Sequence, residues 1–133
     1  MLDLQKAEEF HGHLGPYLVL GMKAGELAIE SLKARKYFGI EVTVHCPQLP
    51  PQRCFIDGLQ LTTGATFGKA NLSHVLGEQI VARVIHKKDN QAIEIRLLPE
   101  LAKRVGALTE HDDLEGIAKE LASLAPEVLF QWR

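Results

Sequence analysis

Residues 79–98 decide the fold class, and they read Gln-Ile-Val-Ala-Arg-Val-Ile-His-Lys-Lys-Asp-Asn-Gln-Ala-Ile-Glu-Ile-Arg-Leu-Leu. Apolar and charged residues alternate through both halves of this stretch, which is the two-residue period of half-buried strands. The polar residues 88–91 lie between the halves and are typical of a turn. The stretch therefore predicts an antiparallel hairpin with strands over 79–87 and 92–98.

A third strand and several helices are predicted around this hairpin. Residues 40–46 alternate between apolar and polar side chains, and three prolines then force a loop that ends at Cys54. Apolar spacing and capping residues predict helices over 3–10, 17–36, 54–63 and 99–105, and a last helix capped by Asp112 with Glu115 completing a capping box. The pattern predicts an α+β fold, a small antiparallel or mixed sheet flanked by helices, in one domain over residues 1–133.

The composition excludes several classes of protein. The chain of 133 residues has 15 Lys and Arg against 17 Asp and Glu, a net charge of −2, without the basic excess of a nucleic-acid-binding protein. No apolar stretch approaches the roughly 20 residues that a membrane span needs. The polar, acidic N-terminus is unlike a signal peptide, so we expect a cytoplasmic protein whose two cysteines are thiols. The apolar residues 128–132 predict that the tail docks on the body or on a second subunit.

His11 and His13 are candidate metal ligands. Two imidazoles two residues apart share one side of an extended segment, and either ring nitrogen can bind zinc or another borderline metal. The glycine between them lets the backbone bend around a ligand. The alternative is that these histidines, followed by Gly15 and Pro16, simply form a polar turn.

Cys54 is a candidate ligand or nucleophile because it opens a predicted helix. A thiol at a helix N-terminus has its pKa lowered by the helix dipole. The alternative is a small buried hydrophobic residue, as most free cysteines are. Asp57, and Gln60 beyond it, follow on the same helical face, so that Asp57 either orients a ligand, acts as a general base, or only balances the helix dipole.

Two further segments carry weaker signals. Cys46 lies on the apolar face of the strand 40–46 and is predicted to be in the core, whereas His45 lies on the polar face. The glycine-rich residues 63–69 are one residue short of a phosphate-binding loop and lack its hydroxyl residue. There the backbone N–H groups and Lys69 can bind an anion or a substrate carboxylate; the alternative is a tight turn with a solvated lysine.

Three ordered blocks of the sequence resemble one known family. They are Phe-His-Gly-His-Leu-Gly-Pro at 10–16, Cys-Phe-Ile-Asp-Gly-Leu-Gln at 54–60 and Thr-Gly-Ala-Thr-Phe-Gly-Lys-Ala-Asn-Leu at 63–72. Their order and separation are similar to F-H-G-H-x-C-P-G, C-x-x-D-A-I-Q and T-G-C-T-x-G-K-G-N in the FmdE family of formylmethanofuran dehydrogenase. The resemblance covers residues 8 to 98, and without a cysteine after Cys54 the chain resembles a short form that lacks the C-terminal zinc-finger module.

The resemblance implies an α+β homodimer whose three blocks meet at a pocket holding a divalent metal ion, zinc in many members. It implies that His13 and Cys54 are metal ligands together with His11, and that the pocket is lined by Asp57, Gln60, Thr63 and Lys69. Gly15 and Ala65 stand where many members have cysteine. These departures imply a weaker metal site, or one completed by water or by His45.

Three functions remain open at this stage, and the sequence does not decide whether the protein is an enzyme. In the first, it is a small metal-dependent enzyme in which Asp57 and Lys69 are catalytic, while Gln60, Thr63 and Lys69 bind an anionic substrate. In the second, it is an accessory or binding protein of a molybdenum or tungsten oxidoreductase. In the third, a metal-free pocket binds an anionic metabolite.

Overall fold

A computed structural model describes residues 2–133 of the protein. Within these residues the chain forms five α-helices, α1 (Leu4–His11), α2 (Pro16–Leu32), α3 (Cys54–Thr63), α4 (Pro99–Gly106) and α5 (Leu114–Ser123). The strands are β1 (Ile40–Cys46), β2 (Leu72–Leu76), β3 (Val81–His86), β4 (Ala92–Leu97) and β5 (Phe130–Trp132). Two 3₁₀ turns, Tyr37–Gly39 and Pro126–Val128, precede β1 and β5. The predicted α+β fold is confirmed.

The five strands form one mixed sheet in the order β2-β1-β3-β4-β5. The predicted hairpin is confirmed as the antiparallel pair β3–β4, in which Ala82 lies opposite Ile95. β1 pairs with β3 antiparallel and with β2 parallel. Because parallel neighbours need a crossover connection, the chain between β1 and β2 passes through α3, and this crossover carries Cys54 and Asp57.

The core lies between one face of the sheet and the helices. The alternating residues Ile40, Val42, Val44 and Cys46 of β1 are fully buried, which confirms the predicted core position of Cys46. The helices α2 and α3 pack closely together through two glycines. A Cβ atom on Gly21 would collide with the Phe55 carbonyl oxygen, so only glycine allows this approach of the two backbones.

Two predicted helix ends were wrong. The helix that begins at Pro16 ends at Leu32 rather than Lys36, because Lys33 adopts a left-handed conformation with φ of 51°. The last helix is capped by Asp113, whose carboxylate accepts a hydrogen bond from the Gly116 amide at 2.9 Å. Asp112 instead accepts from the Thr109 amide at 2.8 Å and closes the preceding turn, so the predicted capping box is absent from the described residues.

The sequence reasoning missed two strands. β2 reads Leu-Ser-His-Val-Leu and has mostly exposed side chains, so it carries no clear alternation of burial. β5 is only three residues long and pairs antiparallel with β4, which confirms that the apolar tail docks on the body of the protein. No helix in the described part of the chain is long and apolar enough to span a membrane.

Candidate functional site

The end of α1 and the first turn of α3 meet at a hydrogen bond between a histidine and a carboxylate. His11 is the last residue of α1, and the following Gly12 reverses the chain with φ of 101° while its amide donates to the Glu8 carbonyl oxygen at 2.7 Å. This reversal leaves His11 facing α3, where its Nδ1 lies 2.6 Å from Asp57 Oδ2. The His11 side chain is 9% exposed and that of Asp57 is 37% exposed.

This bond defines which nitrogen of His11 is available for chemistry. An ionised carboxylate only accepts hydrogen bonds, so Nδ1 carries the proton and Nε2 presents a lone pair. Nε2 is buried and has no hydrogen-bond partner within residues 2–133. An unpaired buried polar atom is costly, and nearly all such atoms are paired in folded proteins. A carboxylate on one ring nitrogen and an open position on the other is the arrangement of a metal-binding or proton-transferring histidine.

His13 lies next to His11. The two ring centroids are 4.7 Å apart and the ring planes are tilted by 47°. His13 is exposed, in contrast to the nearly buried side chain of His11. A Cβ atom placed on Gly15 would lie 3.5 Å from His13 Nε2. The position where the family pattern has its first missing cysteine therefore adjoins His13.

Cys54 is the first residue of α3 and is partly buried. The prediction that the helix N-terminus lowers its pKa was wrong. Burial raises the pKa of the Cys54 thiol, and the negative charge of Asp57 raises it further, against a smaller lowering by a backbone hydrogen bond. The loss of hydration outweighs the helix dipole, because a half-buried thiolate beside a carboxylate gives up more solvation than the helix end returns.

Gln60 lies one helical turn beyond Asp57 and connects it to the glycine-rich loop. Its Nε2 donates to Asp57 Oδ1 at 3.4 Å, and its Oε1 accepts from the Phe67 amide at 3.3 Å. The structure therefore brings together His11, Asp57 and Gln60 from two of the predicted blocks and links them to the third.

Thr63 and Lys69 have their polar atoms engaged elsewhere. Thr63 is fully buried; its hydroxyl donates to the Leu59 carbonyl oxygen at 2.6 Å and accepts from the Ala65 amide at 3.1 Å. Lys69 Nζ lies 3.2 Å from Thr66 Oγ1 and 6.0 Å from the centre of the Tyr37 ring. Neither residue lines the cavity at His11.

An open cavity of about 390 Å³ adjoins the histidine–carboxylate pair. Its lining includes His11, Cys54 and Asp57, and beside them Arg53. The rest of its wall consists of Gln48, Leu49, Pro50, Ile56 and Phe67. The sequence reasoning missed Arg53, although its position directly before Cys54 at the start of α3 was a signal that this cation shares the site.

The predicted metal ligands are near one another without forming a finished site. Within residues 2–133 there is no group of three or more His, Cys, Asp or Glu side chains arranged to hold a metal ion. His45, the alternative ligand suggested by the sequence, lies partly buried on β1, opposite Val75 of β2 and Val81 of β3. The described atoms therefore offer one oriented imidazole nitrogen, with a second imidazole beside it and a thiol on the same cavity wall.

Known proteins resemble this chain in fold and sequence. The crystal structure of an FmdE-like protein of tungsten formylmethanofuran dehydrogenase from Syntrophus aciditrophicus superimposes with a TM-score of 0.66 at 22% identity, over 98% of this chain and 68% of that one. This likeness shows the shared fold.

A protein of Archaeoglobus fulgidus described as a probable S-adenosyl-L-methionine-binding protein is 29% identical over 108 residues. The match covers 76% of this chain but only 28% of that relative. Residues 10–131 match the family model described as "FmdE, Molybdenum formylmethanofuran dehydrogenase operon". Since this match covers nearly the whole chain, the protein belongs to the FmdE family.

Proposed function

We propose that this protein binds a divalent transition metal ion, zinc by preference, in the His11 cavity and uses it as a small metal-dependent enzyme. The observation that carries the proposal is the buried His11 Nε2, which has no partner within residues 2–133 and is oriented by the Asp57 carboxylate. Metal-bound histidines almost always have this second partner on their other ring nitrogen.

The donor set fits a borderline metal. His11 Nε2, the imidazole of His13 and the thiol of Cys54 are the nitrogen and sulfur ligands that zinc prefers. His13 is exposed and follows Gly12, around whose Cα a side chain would meet only open space, so its imidazole has room to turn toward His11. A bound divalent ion supplies Lewis-acid polarisation of a substrate oxygen.

The other residues of the cavity have roles that follow from their contacts. Asp57 keeps the proton on His11 Nδ1, and Gln60 holds the second oxygen of that carboxylate. Arg53 presents a fixed positive charge on the cavity wall and is placed to bind an anionic group of the substrate. In this proposal Arg53 takes the role that the sequence reasoning assigned to Lys69.

Elemental analysis of protein purified without added metal tests this proposal. We expect about one zinc per chain in the wild type and a strong loss in the variants His13→Ala and Cys54→Ala. Cys46→Ala is the matched control, because Cys46 is fully buried on β1 and does not line the cavity. Metal contents in His13→Ala and Cys54→Ala equal to that of the wild type contradict the proposed ligand set.

A metal-free anion site is the second candidate, and Arg53 is the observation that favours it. Arg53 shares the cavity with His11, whose ring can donate or accept a hydrogen bond. S-adenosylmethionine is a reasonable first probe because it carries a carboxylate and because the archaeal relative is described as a probable binder of it. Calorimetric binding to chelator-treated protein that Arg53→Gln abolishes supports this candidate over the metal site.

The family description also supports a partner role beside a molybdenum or tungsten oxidoreductase. We propose that the protein, as a homodimer, associates with such an enzyme in the cytoplasm. Co-purification of a molybdenum- or tungsten-containing enzyme, identified by mass spectrometry, tests the association. Light scattering of the isolated protein tests the dimer, and a monomeric mass contradicts it.

A further inference from the structure

A second cavity, of about 430 Å³, lies between the segment before β3, the end of β4 and α4. It shares no lining residue with the His11 cavity. Its apolar wall consists of Ile80, Leu97, Pro99 and Ala102. Its polar wall consists of Tyr17, Gln52, Glu78, Gln79, Arg96 and Gln131. Its volume is in the range of sites that bind small organic molecules.

Tyr17 is the residue that makes this cavity more than a surface depression. Its side chain lies in the first turn of α2 and is only 7% exposed. Its hydroxyl has no hydrogen-bond partner within residues 2–133 and points toward Gly106, where an added Cβ would lie 4.0 Å away. Buried tyrosine hydroxyls usually have a partner, so this one is available to a ligand. Burial also raises the pKa of Tyr17, so the phenol stays neutral and can donate.

The charge of the polar wall is balanced. Arg96 Nη2 lies 2.9 Å from Glu94 Oε1, and its Nη1 donates to Gln79 Oε1 at 3.3 Å. The guanidinium charge is therefore neutralised by a protein carboxylate, and Glu78 adds a further negative charge at the rim. An anionic ligand would be repelled here, whereas groups that both donate and accept hydrogen bonds fit the amides of Gln52 and Gln131.

We propose that this cavity binds a small uncharged molecule in which an apolar ring carries a carboxamide-type group. The ring packs on the apolar wall, and the carboxamide meets the Tyr17 hydroxyl and the two glutamine amides. Amide groups pair with one another through one donor and one acceptor, which neither a carboxylate nor an ammonium group can do. The site is separate from the proposed metal site, and its ligand does not depend on a metal.

Benzamide is the probe that tests this proposal, with benzoate as a control of the same shape that carries a charge. We expect a titration followed by ¹⁵N–¹H NMR to show saturable shifts around Tyr17 and α4 at about 10 mM benzamide, a concentration suited to a ligand of this size. Benzoate is expected to bind at least tenfold more weakly. Equal binding of the two probes, or no benzamide binding, overturns the proposal.

Three variants locate the binding. Ala102→Trp fills the mouth of the cavity from an exposed position on α4 and should remove benzamide binding. Ala107→Trp is its matched control, since Ala107 is also exposed but does not line the cavity. Tyr17→Phe removes one hydrogen bond and should weaken binding by about fivefold. Because the NMR spectrum reports folding directly, unchanged benzamide binding in a folded Ala102→Trp or Tyr17→Phe variant contradicts the proposed site.

Discussion

The histidine–carboxylate pair and the glycine-rich loop 63–69 were both assigned to one site by the sequence, and the structure builds them differently. At the pair, one hydrogen bond orients His11 and leaves Nε2 buried without a partner in the described residues. In the loop, the polar atoms are paired within the chain, since Thr63 binds its own helix and Lys69 binds Thr66. A site is marked by hydrogen-bonding capacity that the fold leaves open.

The loop has its own anchor in Asn71, which is 5% exposed. Asn71 Oδ1 accepts from the Thr66 amide at 3.0 Å, and Asn71 Nδ2 donates to the Tyr37 carbonyl oxygen at 2.6 Å. These bonds tie the loop to the turn before β1. The glycine-rich pattern therefore has a structural explanation that needs no ligand.

Replacing His11 by Ala should have the largest effect on this comparison. The only oriented ligand is lost, so we expect zinc affinity to fall by more than about 100-fold in a competition with a fluorescent chelator. His111→Ala is the control, because its side chain is 88% exposed on the surface. Equal losses in both variants would break the distinction between His11 and an ordinary surface histidine.

Asp57→Asn should have the next largest effect. The amide no longer fixes the proton on His11 Nδ1 or raises the basicity of Nε2, and removal of such a partner weakens metal binding by about 10- to 100-fold. Asp112→Asn serves as the control because Asp112 only closes a surface turn. An Asp57→Asn variant with wild-type zinc affinity would show that the carboxylate does not support a metal site.

Asn71→Ala should separate stability from binding. Its loss leaves the Thr66 amide and the Tyr37 carbonyl unpaired, and we expect the free energy of unfolding to fall by about 2–3 kcal/mol in urea titrations. Zinc affinity of the folded variant should stay within about twofold of the wild type. A parallel loss of zinc affinity would mean that the loop belongs to the metal site.

The reactivity of Cys54 reports on its neighbour in metal-free protein. The negative charge of Asp57 raises the pKa of Cys54, so Asp57→Asn lowers that pKa and enlarges the thiolate fraction at pH 8. We expect iodoacetamide to modify Cys54 several-fold faster in the variant, as measured by mass spectrometry of the Cys54 peptide. An unchanged or slower rate would contradict the contact between the two side chains.

Lys69→Ala should have the smallest effect. Its ammonium group contacts Thr66 and faces the rings of Tyr37 and Phe38 at 6.0 Å, away from the cavity lining. We therefore expect zinc affinity within about twofold of the wild type and little change in stability, since surface contacts of this kind contribute little. A large loss of zinc affinity would return Lys69 to the site.

Local pattern determined much of the fold. The hairpin, the strand 40–46 and the helix 54–63 follow from periodicity and from proline and glycine signals, and the structure reproduces them. The end of α2 was wrong because a single backbone conformation at Lys33 overrides helix propensity. β2 and β5 were missed because short strands at sheet edges are defined by their partners rather than by their own alternation.

The sequence by itself determined the fold class, the family blocks and the set of candidate residues His11, His13, Cys54 and Asp57. Only the tertiary structure decided that Asp57 pairs with His11, that burial raises the pKa of Cys54, and that Arg53 rather than Lys69 lines the cavity. The physical reason is that spacing along the chain places side chains on a helix or strand. Which polar atoms are satisfied, and which remain open, depends on contacts between elements that lie far apart in the sequence.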